Sequence, residues 1–143
     1  MPTPLHIGAL AARTGHSVHT IRWYEAQGLM PGVARDGGGR RVYADGHVGW
    51  LELMQRLRRT GMSIAEMRRY TALVRQGKST LAARHAMLQA HREQVQRTIA
   101  DWQEALTLLD SKIHFYRQWQ RTGKRPPLDP SNPVHSNERS KPL

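Results

Sequence analysis

The chain has 143 residues, 38% of them hydrophobic, enough for one domain with an appended element and a small core. Lys and Arg number 22 against 11 Asp and Glu, and a net charge of +11 suits a polyanionic partner, because basic side chains displace the counterions condensed on phosphates. The absence of cysteine excludes disulfides, thiolate metal sites and cysteine nucleophiles; no apolar run approaches membrane-spanning length, and Met1-Pro2-Thr3-Pro4-Leu5 lacks the charged start and apolar core of a signal peptide, so a cytoplasmic protein is expected.

In chain order, Leu5-His6-Ile7 is a short apolar lead. Residues 8–14 suit a short helix with Ile7, Leu10 and Ala11 inward, and Gly15 supplies the corner of a tight turn. Ser17 stands where a helix N-cap belongs. A second helix over residues 18–27 turns Val18 and Ile21 toward the first, and Gly28 ends it. His19, Thr20, Arg22 and Trp23 are left on its other faces. Two short helices about a glycine turn, with cationic and polar groups on the second, match a helix-turn-helix.

Val33-Ala34-Arg35 and Arg41-Val42-Tyr43 read as the strands of a hairpin turned by Asp36-Gly37-Gly38-Gly39. Arg35, Arg40 and Arg41 place three permanent cations on this wing. The glycines lack a following Lys-Ser/Thr or a dinucleotide fingerprint, which argues against a nucleotide site. Asp45 is the expected cap of a helix over residues 46–60, with Val48, Leu51, Met54 or Leu53, and Leu57 as its apolar stripe. Ser63 and Glu66 have capping-box spacing and open the next helix, with Ile64, Met67, Tyr70, Thr71 and Val74 inward. The nearby Arg56, Arg58, Arg59, Arg68 and Arg69 are expected to be mostly solvated, with a few touching phosphate.

Residues 80–120 contain neither Gly nor Pro. Val95, Ile99, Trp102, Leu106, Leu109, Ile113 and Tyr116 alternate spacings of four and three, and the register continues back through Arg92 to Leu88, His85 and Leu81. This is a coiled-coil seam with polar interruptions. A helix this long cannot bury its seam alone, and a second copy is the economical partner, so Leu88, Val95, Ile99, Trp102, Leu106, Leu109, Ile113 and Tyr116 are the expected dimerisation residues. Five of the eight prolines fall between Pro126 and Pro142, and residues 121–143 are expected to form a loosely packed tail.

Ile7-Gly8-Ala9-Leu10-Ala11, Thr14-Gly15, Thr20-Ile21-Arg22-Trp23-Tyr24-Glu25, Gly28-Leu29, Gly39-Arg40-Arg41-Val42-Tyr43 and Leu57-Arg58-Arg59-Thr60-Gly61-Met62-Ser63-Ile64 together resemble the MerR family of bacterial transcription regulators. The resemblance covers residues 5–116 and looks like the short members without a large ligand domain, some of which are linked to aldehyde or electrophile stress. It implies a mostly α fold: a winged helix-turn-helix domain over residues 1–76, then a long helix over residues 80–120 that forms an antiparallel coiled-coil dimer. It also implies a regulator that binds promoter DNA as a homodimer and bends an overlong spacer so that RNA polymerase reads both promoter elements. By position, Arg22 and Tyr24 match DNA-contacting residues of the recognition helix, Trp23 stands where an aromatic is usual, Arg41 matches the wing arginine and Tyr43 the tyrosine supporting it; Arg40 departs from a common aromatic. With Ser17, His19, Thr20, Arg35 and Arg40 these form the expected DNA-binding set, and Glu25 is read as a partner for a nearby cation.

The family's metal sensors use cysteines at the coiled-coil end, which this chain lacks. His85, His91, His114 and His135 lie in the same half, but His85 and His91 are six apart, whereas zinc-binding helices use a spacing of four. No metal or cofactor is expected. Trp102, Phe115, Tyr116 and Trp119 are read as core or seam residues, with a small organic effector kept as an alternative use. Two other functions compete with this reading: an architectural or adaptor protein that uses the coiled coil to bind another protein and the basic half to bind DNA without sequence preference, and an enzyme. Against the enzyme, no catalytic pairing of carboxylates or Ser-His-Asp arrangement stands out, so no catalytic residue is assigned.

Overall fold

The computed structural model describes residues 4–129. Its elements are α1 (Ile7–Thr14), α2 (Val18–Ala26), β1 (Ala34–Arg35), β2 (Arg41–Val42), α3 (Gly46–Arg59), α4 (Ile64–Arg75), a 3-10 turn (Lys78–Thr80) and α5 (Leu81–Thr122).

Local chemistry sets most of these boundaries. Ser17 has extended backbone angles, and its Oγ accepts a hydrogen bond from the Thr20 N–H at 3.1 Å, which satisfies one of the free donors opening α2. Gly28, at φ 75°, closes that helix; the Leu29 N–H reaches back to the Tyr24 carbonyl at 3.0 Å, and Leu29 drops into the core. Ser63 caps α4 through the Glu66 N–H at 3.1 Å. The same role expected of Asp45 at α3 is not taken up. Its carboxylate makes no cap bond and pairs instead with Arg13 Nη1 of α1 at 2.5 Å. A charged partner across the helix pair outcompetes a backbone amide for this side chain.

β1 and β2 pair antiparallel, Ala34 with Val42 and Arg35 with Arg41. Leu5 adds a bridge to Tyr43, with backbone bonds of 2.9 and 2.7 Å, so the apolar lead acts as a short third strand. The core lies between the two short helices, the wing base, α3 and α4, and includes Leu10, Ile21, Tyr24, Leu29, Tyr43, Leu51, Met54 and Met67. Each fully buried Leu or Met contributes about 1.5–3 kcal/mol. Polar stitches complete it. Trp50 Nε1 donates to the Leu29 carbonyl at 2.6 Å while its ring stacks on Tyr70, and His47 sits between the Pro31 carbonyl and the Ala44 N–H at 2.6 and 2.9 Å.

The chain divides into two units, and the division falls inside α5, between Arg92 and Glu93. The opening turns of α5 therefore belong with the helix-turn-helix. Arg84 bonds the Thr80 hydroxyl and the Gly77 carbonyl, Met87 and Leu88 pack against the core, and His91 is buried with Nε2 2.7 Å from Thr60 Oγ1. Leu88, expected on the seam, is thus partly covered by an apolar surface within its own unit. His91 thus has a packing and hydrogen-bonding place within this unit.

In the second unit α5 runs on to Thr122, and residues 123–129 then lie back against its last turns. This first part of the expected tail is tied at Asp129, which lies 2.6 Å from Lys112. The rest of the tail, with His135, lies outside the described residues. Among the described residues, no helix is long and apolar enough to cross a membrane, and no three His, Asp or Glu side chains stand close enough to hold a metal ion.

Candidate nucleic-acid interface

The helix α2 and the wing are joined by a charge cluster around Glu25. Its Oε2 lies 2.6 Å from Arg41 Nε and accepts from the Tyr43 hydroxyl at 3.4 Å. Glu25 is therefore the structural partner that the sequence suggested. Arg22 and Arg41 both sit close enough to Tyr43 to counter the rise in its pKa that burial and the Glu25 charge produce. One carboxylate on α2 thus orders an arginine and a tyrosine of the wing.

The wing turn is held internally. Asp36 Oδ1 accepts from the Gly38 and Arg40 N–H groups at 3.0 and 2.9 Å, and the Arg40 bond is the main reason its carboxyl lies below the usual carboxylate range. Arg40 Nε approaches Asp36 at 3.4 Å, and Arg35 donates to the Gly39 carbonyl at 2.7 Å. Arg35, Arg40 and Arg41 are all exposed. A guanidinium has five N–H donors, so each retains edges able to meet a phosphate while its internal bond fixes its direction.

On α2, His19 and Arg22 are exposed, while Thr20 and Trp23 are half-buried. Ser17 and Thr20 bond each other at 2.9 Å as part of the cap. Tyr24 and Tyr43, expected among the DNA contacts, are 2% and 0% exposed and pack in the core. The amphipathic face of α2 decides this for Tyr24, since it stands three residues after the buried Ile21. Trp23 does not present a bare ring, because the Arg58 guanidinium from α3 lies 4.1 Å above its centroid. Arg58 belongs to the arginines expected to be mostly solvated, with a few touching phosphate; no local pattern links it to a residue 35 positions earlier. Arg68, also grouped there, clasps the end of α2 through the carbonyl and side chain of Gln27 at 2.7 and 2.5 Å.

Comparison with known proteins matches this arrangement to a family. Residues 5–73 fit the MerR HTH family regulatory protein pattern, and residues 48–112 fit the pattern described as MerR, DNA binding. An uncharacterised HTH-type transcriptional regulator of Haemophilus influenzae is 34% identical over 113 residues, 79% of this chain and 84% of its own. The chain belongs to the MerR family.

It is therefore a DNA-binding transcriptional regulator, in a family of regulators rather than enzymes. The Bacillus subtilis regulator AdhR is 33% identical over 91 residues, 64% of this MerR-family chain and 65% of its own. The crystal structure of HiNmlR, a MerR family regulator lacking the sensor domain and bound to promoter DNA, has 31% identity and a TM-score of 0.74; the match covers 85% of this chain and 97% of that one. The winged helix-turn-helix fold with its long terminal helix is shared with that protein.

In the second unit of this MerR-family protein, Ile99, Trp102, Leu106, Leu109, Ile113 and Tyr116 are 48% to 75% exposed, and Val95 is half-buried. Spacings of four and three bring the six to one side of the helix.

Proposed function

We propose that this MerR-family regulator binds a near-palindromic promoter element as a homodimer and controls transcription by distorting an overlong spacer so that RNA polymerase can engage both promoter elements. The observation that carries the dimer is the apolar stripe from Ile99 to Tyr116, whose members are half to three-quarters exposed on a 42-residue helix. A contiguous apolar face of that kind marks an interaction surface, and two-fold pairing of identical seams is the commonest way to cover one. An antiparallel pairing fits the family resemblance.

Arg22 on α2 and the ordered Arg35, Arg40 and Arg41 of the wing, with His19 and Thr20 beside them on the helix, supply the DNA contacts in this reading. Two such heads held by one rod engage successive grooves only if the duplex yields, and bending of this order costs about 1–6 kcal/mol, offset by the added contacts. The protein works in the cytoplasm and answers a stress signal or a small organic effector.

A footprint on genomic fragments selected by the purified protein tests the proposal. It should cover two related half-sites, with log affinity falling by roughly 0.9 per phosphate contact for each log unit of salt. Arg22→Ala and Arg41→Ala should weaken binding while light scattering still shows a dimer. Wild-type affinity in both variants, or a monomer, would sink the reading.

A further inference from the structure

The end of α5 is closed by the chain's own return. Gly123 takes the left-handed φ of 69°, and its N–H bonds the Trp119 carbonyl at 2.8 Å. The Thr122 hydroxyl meets the Gln118 and Lys124 carbonyls at 2.9 and 3.1 Å. A side chain at position 123 would strain this turn. Pro126 and Pro127 follow, with fixed φ and no N–H to donate, so the segment can neither extend the helix nor join a ladder.

What holds the segment is charge set against aromatic rings. The Asp129 side chain is 5% exposed, 2.6 Å from Lys112 Nζ and 3.9 Å from Arg125 Nη2. The Lys112 Nζ also lies 5.0 and 4.9 Å from the ring centres of Phe115 and Tyr116. The Arg125 guanidinium lies 5.8 Å from those of Phe115 and Trp119. Phe115 is 4% exposed although Ile113 and Tyr116 beside it are 52% and 48% exposed. Cations over rings are held more tightly when water is excluded, and a buried carboxylate between two cations keeps them there.

We propose that residues 124–129 form a strap latched by Asp129 and Lys112, and that the latch sets the geometry of the last turns of the dimer face. Closed, it covers Phe115 and holds the Lys112 ammonium over Tyr116, the last residue of the seam. Open, it bares Phe115 and frees Tyr116 from that cation, so the seam offers its partner a different end. The coupling to the seam rests on the dimer reading above; the latch itself does not.

Trypsin can cut the strap at the Lys124–Arg125 bond, whereas proline follows Arg125. In the full-length protein, cleavage at that bond, read by mass spectrometry, should rise about tenfold in Asp129→Asn and in Lys112→Gln, with helix content unchanged by circular dichroism. The double variant should fall well short of the product of the two single effects, because both substitutions remove the shared Asp129–Lys112 pair. Unchanged cleavage in the singles, or a multiplied effect in the double, would overturn the latch. Sedimentation equilibrium should show the dimer dissociation constant of Asp129→Asn shifted at least about threefold, for a change at the end of a shared seam; an unchanged constant beside raised cleavage would overturn the coupling. A monomeric wild type would defeat the dimer reading alone and leave the cleavage comparison intact.

Discussion

The Nε of Arg41 stands 2.6 Å from Oε2 of Glu25, so the wing and the recognition helix share one ion pair across 16 residues of chain. Arg41 is 42% exposed, and solvent screening limits the pair's contribution to stability to about 0.2–1 kcal/mol. Its larger effect is on preorganisation, since a directed guanidinium loses less freedom on binding. Glu25→Ala should lower affinity for the operator about tenfold while binding to unrelated DNA is unchanged or tighter, because one carboxylate has been removed from a cationic face. Competitive gel shifts measure the ratio; equal loss on both DNAs would remove Glu25 from specificity.

Arg58 over Trp23 gives the recognition helix a cation that its own sequence does not contain. The stack contributes about 0.5–1 kcal/mol at an exposed site. Arg58→Ala should therefore melt slightly earlier, and the slope of log affinity against log salt should become shallower by about 0.9, the share of one phosphate contact. An unaltered slope would place Arg58 outside the DNA contacts and leave it a support for Trp23.

Burial first, and the Glu25 charge second, raise the Tyr43 hydroxyl above the ordinary tyrosine value of about 10. The folded state therefore favours the neutral phenol. The stability linked to it is fully present below pH 10 or so and is lost as pH rises through the higher folded value. Wild type should lose more stability between pH 9 and pH 11 than Tyr43→Phe does, by urea denaturation. Parallel losses would show that Tyr43 does not govern the alkaline limb.

Thr60 ends α3 with its hydroxyl donated to the Arg56 carbonyl at 2.7 Å, so its oxygen accepts from His91 Nε2–H at the same distance. His91 is 8% exposed. Thr60→Val keeps the shape and strands a buried donor, for a loss of about 1–3 kcal/mol; Thr60→Ser should be close to neutral. Chemical denaturation of both variants tests this, and equal stability in the valine form would mean that water or another group satisfies the histidine.

Much of the plan was legible because it depends on neighbours in sequence. Ser17, Gly28 and Ser63 end or open helices through groups within a few residues, and the stripes on α3 and α4 follow helical period. Asp45 shows where that reasoning stops: its local role was plausible, but Arg13 lies 32 residues away and competes for the same carboxylate. The wing hairpin was readable for the same local reason, with Asp36 and its glycines fixing the turn, while Tyr43 at its base was readable as a support and not as a fully enclosed side chain.

The amino-acid order thus determined the elements, the basic surface and the apolar stripe from Ile99 to Tyr116, since periodicity, capping and net charge are sums over nearby residues. Tertiary structure alone decided that Tyr24 faces inward, that Leu88 and His91 belong to the helix-turn-helix unit, that Arg58 lies on Trp23, and that Asp129 closes on Lys112. Burial and ion pairing are settled by whichever group arrives across the fold, and chain spacing carries little record of that arrival.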